Sequence, residues 1–535
     1  MKVSFRMRFL ILALVFPMLL SISAPHAAAF GDSYLTVSAG SSVSYAIRED
    51  GSLWSWGNQV YGMLGDGVET YTAQPAPQKV LDGVVSVSVS DTHVLAVTYD
   101  GKLYGWGLAG WGQLGPDKDQ YGSYISSSTP RLILTGVKAA SAGNRFSMVV
   151  KTDGSLWTMG ENITGELGIG KMDTDVHAEP VKIMENVVSV SASSVGYASA
   201  YAVQADGTLW AWGDNSYGHL GDGTETSRYS PVKVLDNVAS VSTGVQYFAM
   251  AVKKDGTLWG WGTNLYNVLT SGAAATQKTP YKIMSGVASV SVGEEHAMVL
   301  KTDGTLWALG CELNGRLGNG VMKNDSPSQA VKVADNVASV AAGRRHTLMV
   351  KKDGSLWACG QNDSGQLGNS NYSQDLSVFQ KIGTGFKIPV GTAITATPNR
   401  SSVLVDGTVT AFDAYTINGY NYFKLRDLAY ILNGTQKQFS VGWDGTNMAI
   451  SIATSQPYTP VGGEMAVSGS TQAKAATPSA SSVYIDGKQI QFSAYTIGGN
   501  NYFKLRDVAA CIDFGVSWDS ATSSIKIETT TGYNP

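Results

Sequence analysis

Cysteine, charge and histidine are all scarce in this chain. Three cysteines in 535 residues (Cys311, Cys359, Cys511) are too few for a disulfide framework, and all three are expected as small buried side chains. Charged residues make up 15% of the sequence with a net charge of −4, a balance that implies no basic face and excludes nucleic acid as the partner. Six histidines are spread thinly, and none lies beyond residue 390. No Gly-x-Ser-x-Gly elbow or His-Glu-x-x-His helix occurs, so no catalytic residue, metal site or cofactor is expected. Long apolar runs are absent too, save one at the start: "FLILALVFPMLLSI" after Lys2, Arg6 and Arg8. Followed by Ala27-Ala28-Ala29, it reads as a secretory signal over 1–29 and predicts export of the remainder. The alternative, an uncleaved anchor, is disfavoured by Pro17 and the small-residue flank.

What the chain has is glycine, 61 of them, and a repeated sentence. "DGTLWAWG" at 206–213 returns in variants at Asp50, Asp100, Asp153, Asp255, Asp303 and Asp353, with successive spacings of 50, 53, 53, 49, 48 and 50 residues. A period near fifty with glycine-rich turns signals a propeller or solenoid. Asp-Gly between two β-prone runs marks a hairpin, because both central turn residues need positive φ. Each unit adds a leading run such as "SVSAS" at 189–193 and a closing run such as "PVKVL" at 231–235. Four strands in each of seven units predict a seven-bladed β-propeller over 30–388. Six units place Trp directly after the turn leucine (Trp54, Trp157, Trp210, Trp259, Trp307, Trp357), and the other has Tyr104. Such a side chain buries roughly 150–250 Å², about 4–6 kcal/mol gross, and is expected as the main wedge between blades.

Trp-Asp strand endings and Gly-Gly pairs, the marks of other propeller repeats, are missing from this region. The pattern running from His93 through Asp100-Gly101 and Trp106-Gly107 to Gly112-Gln113-Leu114-Gly115, seen again from Asp206 to Gly221, resembles the regulator-of-chromosome-condensation repeat. The fifth unit departs from it, with Asn267 and Thr270 where the pattern has glycine. The resemblance implies the propeller fold over 34–387 but not one function. The nuclear nucleotide-exchange role of one member fits poorly with a signal sequence and an acidic balance. A secreted bacterial β-lactamase inhibitor on the same repeat, binding through loops of one face, is the nearer analogue.

Beyond residue 392 a second duplication appears. "SSVLVDGTVTAFDAYTINGYNYFKLRDLAYIL" (401–432) matches "SSVYIDGKQIQFSAYTIGGNNYFKLRDVAACI" (481–512) at a constant offset of 80. Each copy reads as two hairpins and a short amphipathic helix near Leu-Arg-Asp, closed by a strand pair at Trp443-Asp444 or Trp518-Asp519. These features resemble the stalk domain found at the N-terminus of some copper amine oxidases, carried here by Tyr422, Leu425-Arg426-Asp427 and Trp443, and by Tyr502, Leu505-Arg506-Asp507 and Trp518. The resemblance implies an accessory domain at the cell surface or wall and not an oxidase, since "NYF" replaces the cofactor-forming motif and copper-ligating histidines are missing. Two small α+β stalk domains are therefore expected, at 389–455 and 478–531, joined by a flexible linker over 456–477.

His93, His296 and His346 each lie seven residues before a repeat aspartate, in a slot that Val43, Phe146, Ser199 and Phe248 fill elsewhere, so the slot reads as packing. "GELGIGKM" (165–172) misses the P-loop hydroxyl, "DTDVHAE" (173–179) reads as a solvated acidic loop, and "DKDQYG" (117–122) lacks the twelfth-position glutamate of a calcium loop. The feature that points to binding is a ring of aromatics before the loop glycine: Tyr61, Trp111, Tyr217 and Tyr266, with Tyr121 and Tyr124 on the longer loop of the second unit. Aromatic anchors serve both protein hot spots and sugar platforms. The expectation is an exported, non-catalytic protein presenting this face to a protein or cell-wall glycan at the cell surface. Two other readings stay open: a polysaccharide-acting enzyme with carboxylates in the propeller mouth, and a proteinaceous inhibitor of a secreted or wall-bound enzyme.

Overall fold

The computed structural model describes residues 37–534 except 71, 194–197, 246, 370–372, 385–393, 418–419, 445–448, 468–471, 480–481, 491, 493 and 521. The signal sequence expected over 1–29 lies outside the described residues. No helix among those described is long and apolar enough to cross a membrane.

Seven antiparallel sheets of four strands follow one another, spanning 37–81, 84–134, 137–184, 187–235, 238–284, 287–334 and 337–383. Within each, the strands lie in chain order, so every sheet is a simple meander. The first strand of each sheet packs beside the first strand of the next, and that of the seventh packs beside that of the first, which closes a ring. The leading "SVS" run has a second purpose here. Its last serine accepts a hydrogen bond from the next sheet's first strand: Ala142 N to Ser88 at 3.0 Å, Ala192 N to Ser141 at 3.0 Å, Thr243 N to Ser191 at 3.1 Å. These bonds suture inner strands that share no ladder.

The Asp-Gly turns form as expected, with the aspartate also accepting from the residue two on, as in Asp206 Oδ1 from Thr208 N at 2.8 Å. The tryptophan expectation needs correcting. The Trp after the turn leucine, present in six repeats, is only half-buried; its indole N–H stays within its own hairpin, as from Trp54 to Ser52 Oγ at 2.8 Å, and in five of them a cation covers the ring, as Arg48 does at 3.8 Å. The inter-sheet wedge is the second Trp. Trp56, Trp106, Trp212 and Trp261 are fully buried, and each donates Nε1–H to a loop carbonyl of the preceding sheet: Gln366, Met63, Glu166 and His219, at 2.9, 3.1, 2.8 and 2.8 Å. Strand alternation decides this, because the two tryptophans are two apart and share a face, but only the second lies deep enough to reach the neighbouring loop.

Beyond the ring, the duplicated tail corrects the expectation of two small stalk domains. The copies fold through one another. A closed six-stranded barrel takes 394–398, 415–417 and 420–424 from the first copy and 500–504, 494–497 and 474–478 from the second. One flanking sheet pairs 402–405 parallel with 524–528, and the other pairs 449–454 parallel with 483–485, so each copy lends a strand pair to the other. The helices Leu425–Leu432 and Leu505–Ile512 contribute to one core, with Leu428, Leu432, Phe439 and Ile452 packed with Val508, Phe514, Ile525 and Ile527. Pseudo-twofold symmetry extends to single bonds: Asp406 accepts from Thr529 N at 2.9 Å, and Asp486 from Thr454 N at 2.9 Å. Nor is the connection a loose linker. Tyr458 is buried, its backbone N and O are both bound by the Asn433 amide at 2.9 and 3.0 Å, and Met465 N donates to Asp427 at 3.0 Å. Cys311 and Cys359 are buried as expected, whereas Cys511 is exposed because it falls on the outer side of its helix.

Candidate partner-binding face

Each sheet sends two loops to one end of the ring: the turn between its first and second strands, and the Gly-x-Leu-Gly loop between its third and fourth. The first set interlocks around the centre. Arg344 N donates to Gly40 O at 3.0 Å, Val245 N to Gly293 O at 3.2 Å and Asn144 N to Ser193 O at 2.8 Å, while the Ser41 hydroxyl is bonded to Asp91 of the next sheet.

The electrostatic centre of this face is Glu294, which the sequence reading did not single out. Its carboxylate, nearly buried, accepts from Arg344 Nε at 2.9 Å and Arg345 Nε at 3.1 Å of the neighbouring sheet. Fully buried Arg316 stands 3.8 Å away and contacts Glu295 at 3.2 Å. Two carboxylates and three guanidinium groups thus hold one another in a fixed mosaic across two sheets.

The expected aromatics take individual places around it. Tyr61 is half exposed and, like Tyr266, sits in the left-handed region with φ of 61° and 55°. That is the conformation the repeat's loop demands at this point, met by Asn314 in the sixth sheet with φ of 62°. Tyr266 is half-buried and feels the neighbouring Glu295 carboxylate, which pushes its phenol upward. Tyr217 is exposed and stacks on Tyr247 of the next sheet at 4.1 Å and 21°. Trp111 is not a bare platform. The Arg145 guanidinium covers its ring at 4.1 Å and reaches Glu161 at 3.4 Å. Tyr121 is 84% exposed on its loop. Tyr124 lies apart, under Lys118 at 4.6 Å, lining a cavity of about 310 Å³ with Pro116, Val176 and His177.

The second residue of the Gly-x-Leu-Gly loops shows what a buried polar group does here. Gln113 is the pattern: Oε1 accepts from Trp111 N at 3.1 Å and Nε2 donates to Leu108 O at 2.9 Å, bracing the loop from inside. Glu166 reproduces only half of this. Oε2 accepts from Thr164 N at 2.8 Å, while Oε1 is buried without a hydrogen-bond partner among the described residues. Burial, more than the nearby Glu161 charge, pushes its carboxyl up to about 7. A raised carboxyl beside a second carboxylate is also what acid catalysis uses. Glu166, however, is sealed from solvent and does the work of Gln113, so it reads as a brace. His219 fills the same position; burial holds it down to about 4, and its Nε2 is 3.6 Å from Asp214 Oδ2.

The three histidines of the shared slot are fasteners between sheets. His93 Nε2 meets Ser147 Oγ at 2.9 Å, His296 meets Thr347 at 3.0 Å and His346 meets Ser44 at 2.9 Å. Each of these hydroxyls spends its own hydrogen on a loop carbonyl (Gln113, Arg316, Gln366), so the imidazole Nε2–H must be the donor. In the 173–179 loop, Asp173 is committed to Lys171 at 2.8 Å and His177 at 2.9 Å, which hold its carboxyl well below the usual range. Asp119 of the 117–122 loop accepts from Tyr121 N and Ser123 N at 2.8 and 2.9 Å. Among the described residues no group of three or more His, Cys, Asp or Glu is placed to hold a metal ion.

The ring of four-stranded sheets and its recurring loop define an RCC1-like repeat propeller. Residues 21–264 match the RCC1-like domain, and 303–350 and 337–366 match the regulator of chromosome condensation (RCC1) repeat. Among individual proteins, the chain is 29% identical over 203 residues to the human E3 ubiquitin-protein ligase HERC2, covering 37% of this chain and 4% of that protein. It is 29% identical over 218 residues to the ultraviolet-B receptor UVR8 of Arabidopsis thaliana, covering 40% and 48%. It thus spans under half the length of these relatives. Its fold is similar to human WBSCR16, with TM-score 0.56 at 20% identity, covering 64% of this chain and 96% of that one. It is also similar to Prp20p of Saccharomyces cerevisiae, with TM-score 0.55 at 20% identity, covering 66% and 87%. That protein is described with its binding to Gsp1p and histones.

Proposed function

We propose that this chain is an exported, non-catalytic binding protein whose seven sheets act as the blades of one propeller, presenting the loop face to a protein partner while the duplicated tail keeps it at the cell surface. The carrying observation is the mosaic of Glu294 with Arg344, Arg345 and Arg316, flanked by Tyr266 and by the Tyr217–Tyr247 stack. Protein interfaces concentrate their energy in Tyr and Arg held in place before contact. Pre-ordered ion pairs and a stacked tyrosine lose little side-chain entropy on binding. Export is supported by the basic, apolar and small-residue sequence of 1–29.

The test is affinity capture of surface proteins with the chain and with a variant carrying Tyr61→Ser, Tyr217→Ser and Tyr266→Ser. A protein retained by the first and lost by the second is the expected result. Identical captured sets from two equally folded baits would remove the face from consideration. Titration against β-lactamases and transpeptidases then separates inhibition from scaffolding.

A further inference from the structure

The chain has thirteen tryptophans. Eleven lie in the propeller and are buried or half-buried. The other two are the exposed ones: Trp443 at 58% and Trp518 at 51%, both in the tail. They are pseudo-symmetry mates. Each is the next-to-last residue of a strand at the edge of a flanking sheet, 439–444 in one and 515–519 in the other. Each stands opposite an isoleucine of the neighbouring strand, Ile450 or Ile525, and each is followed by an aspartate.

Capping an isoleucine does not require an indole, and a half-exposed indole leaves a large flat apolar surface in water. The flanking positions are small or polar but face the other side of the sheet: Ser451 lies opposite Gly442, exposed Ser517 precedes Trp518, and Asp519 is held by Lys526 at 2.9 Å and Thr522 N at 3.3 Å. A solvent-exposed aromatic plane on an edge strand suits a sugar ring, which offers C–H bonds on one face and hydroxyls around its rim. A protein partner would instead call for a contiguous apolar patch. Charge narrows the ligand further. Residues 394–535 carry nine Lys or Arg and ten Asp or Glu, so the tail has no net field with which to grip a polyanion.

We infer that the tail binds an uncharged polysaccharide at two equivalent sites, with Trp443 and Trp518 as the stacking platforms. The inference rests on reading the tail as the part that holds the chain at the surface. Twofold symmetry gives it a polymer's logic. Two weak sites on one rigid body engage one repeating chain, and the second contact forms at high effective concentration.

Affinity electrophoresis of the full chain in native gels containing hydroxyethyl cellulose, mixed-linkage β-glucan, glucomannan or glycol chitin tests this, with a polygalacturonate gel as the charged control. Retardation is expected in at least one neutral gel. Trp443→Ala and Trp518→Ala should each weaken it on the order of 10²-fold, as loss of bivalency does, and the double variant should migrate freely. Trp→Tyr at both positions keeps a stacking ring and should retain most of the retardation, which separates stacking from any folding defect. The propeller variant (Tyr61, Tyr217 and Tyr266 to Ser) should be retarded like the parent, so failure of the face reading and failure of this one are told apart. No retardation in any neutral gel, retardation in polygalacturonate alone, retention by the double alanine variant, or full loss from one Trp with none from the other would each overturn it.

Discussion

His346 of the seventh sheet donates its Nε2–H to Ser44 Oγ of the first across 2.9 Å, joining residues 302 apart in sequence. The same bond links His93 to Ser147 within the body of the ring, so closure uses the fastening found elsewhere. Ser44→Ala strands a buried imidazole N–H and should cost about 1–3 kcal/mol of propeller stability, with Ser147→Ala costing about the same. Urea denaturation of both variants checks this. A Ser44→Ala loss far above that of Ser147→Ala would make the closure a special seam.

Acid should loosen the ring through these histidines. Burial holds His93 down to about 3 and His346 to about 4, and His296 well below its ordinary value, whereas all three titrate near 6.5 when unfolded. The unfolded chain therefore binds more protons between these limits. Stability is complete above about pH 6.5 and is lost as pH falls toward 4, by up to ~1.4 kcal/mol per pH unit for each histidine. Denaturation midpoints at pH 7 and pH 5 should differ, and His93→Gln with His346→Gln should narrow the gap.

Glu166 should show the opposite slope. Its carboxyl is raised to about 7 in the fold, so the fold favours its protonated form; stability is full below about pH 4.5 and is lost as pH rises through 7. Glu166→Gln restores the donor that Gln113 uses. It should stabilise the chain by about 1–3 kcal/mol at pH 8 and have little effect at pH 4.5, read from melting curves at the two pH values.

The tail makes a prediction about association. Phe423 pairs with Phe503, its own equivalent in the second copy, across the barrel ladder. A chain ended at residue 473 keeps one copy and exposes the strand edges and core that the other covered. It should self-associate to a dimer that rebuilds the barrel between molecules, measurable by light scattering; a monomer with a folded tail would contradict the shared core.

Much of the architecture was legible in the sequence because its signals are local. The Asp-Gly turns, the four strands per unit and the two helices beginning at Leu425 and Leu505 are all set by neighbours a few residues apart. Glu294 was not legible: its three arginine partners come from distant points and are joined only by ring curvature. The tail escaped for a different reason. An offset of 80 looks the same whether two copies fold side by side or exchange strands, and the difference lies in parallel pairings such as 402–405 with 524–528, which no local pattern encodes. Of the expected aromatics, Tyr61 and Tyr217 are exposed, while the Trp111 ring is covered by Arg145.

Each propeller sheet is cut from one uninterrupted stretch of chain, 37–81 for the first and 337–383 for the last, and neither borrows a strand from the other. Ring closure by serine, histidine and indole contacts, apolar packing and the Arg344–Gly40 backbone bond leaves, among the described residues, no strand that must be threaded from one end of the ring to the other. New ends could therefore be opened between any two units without dividing a ladder, and repeats could be gained or dropped whole. A propeller assembled this way can change its loop face one unit at a time while its fold stays the same.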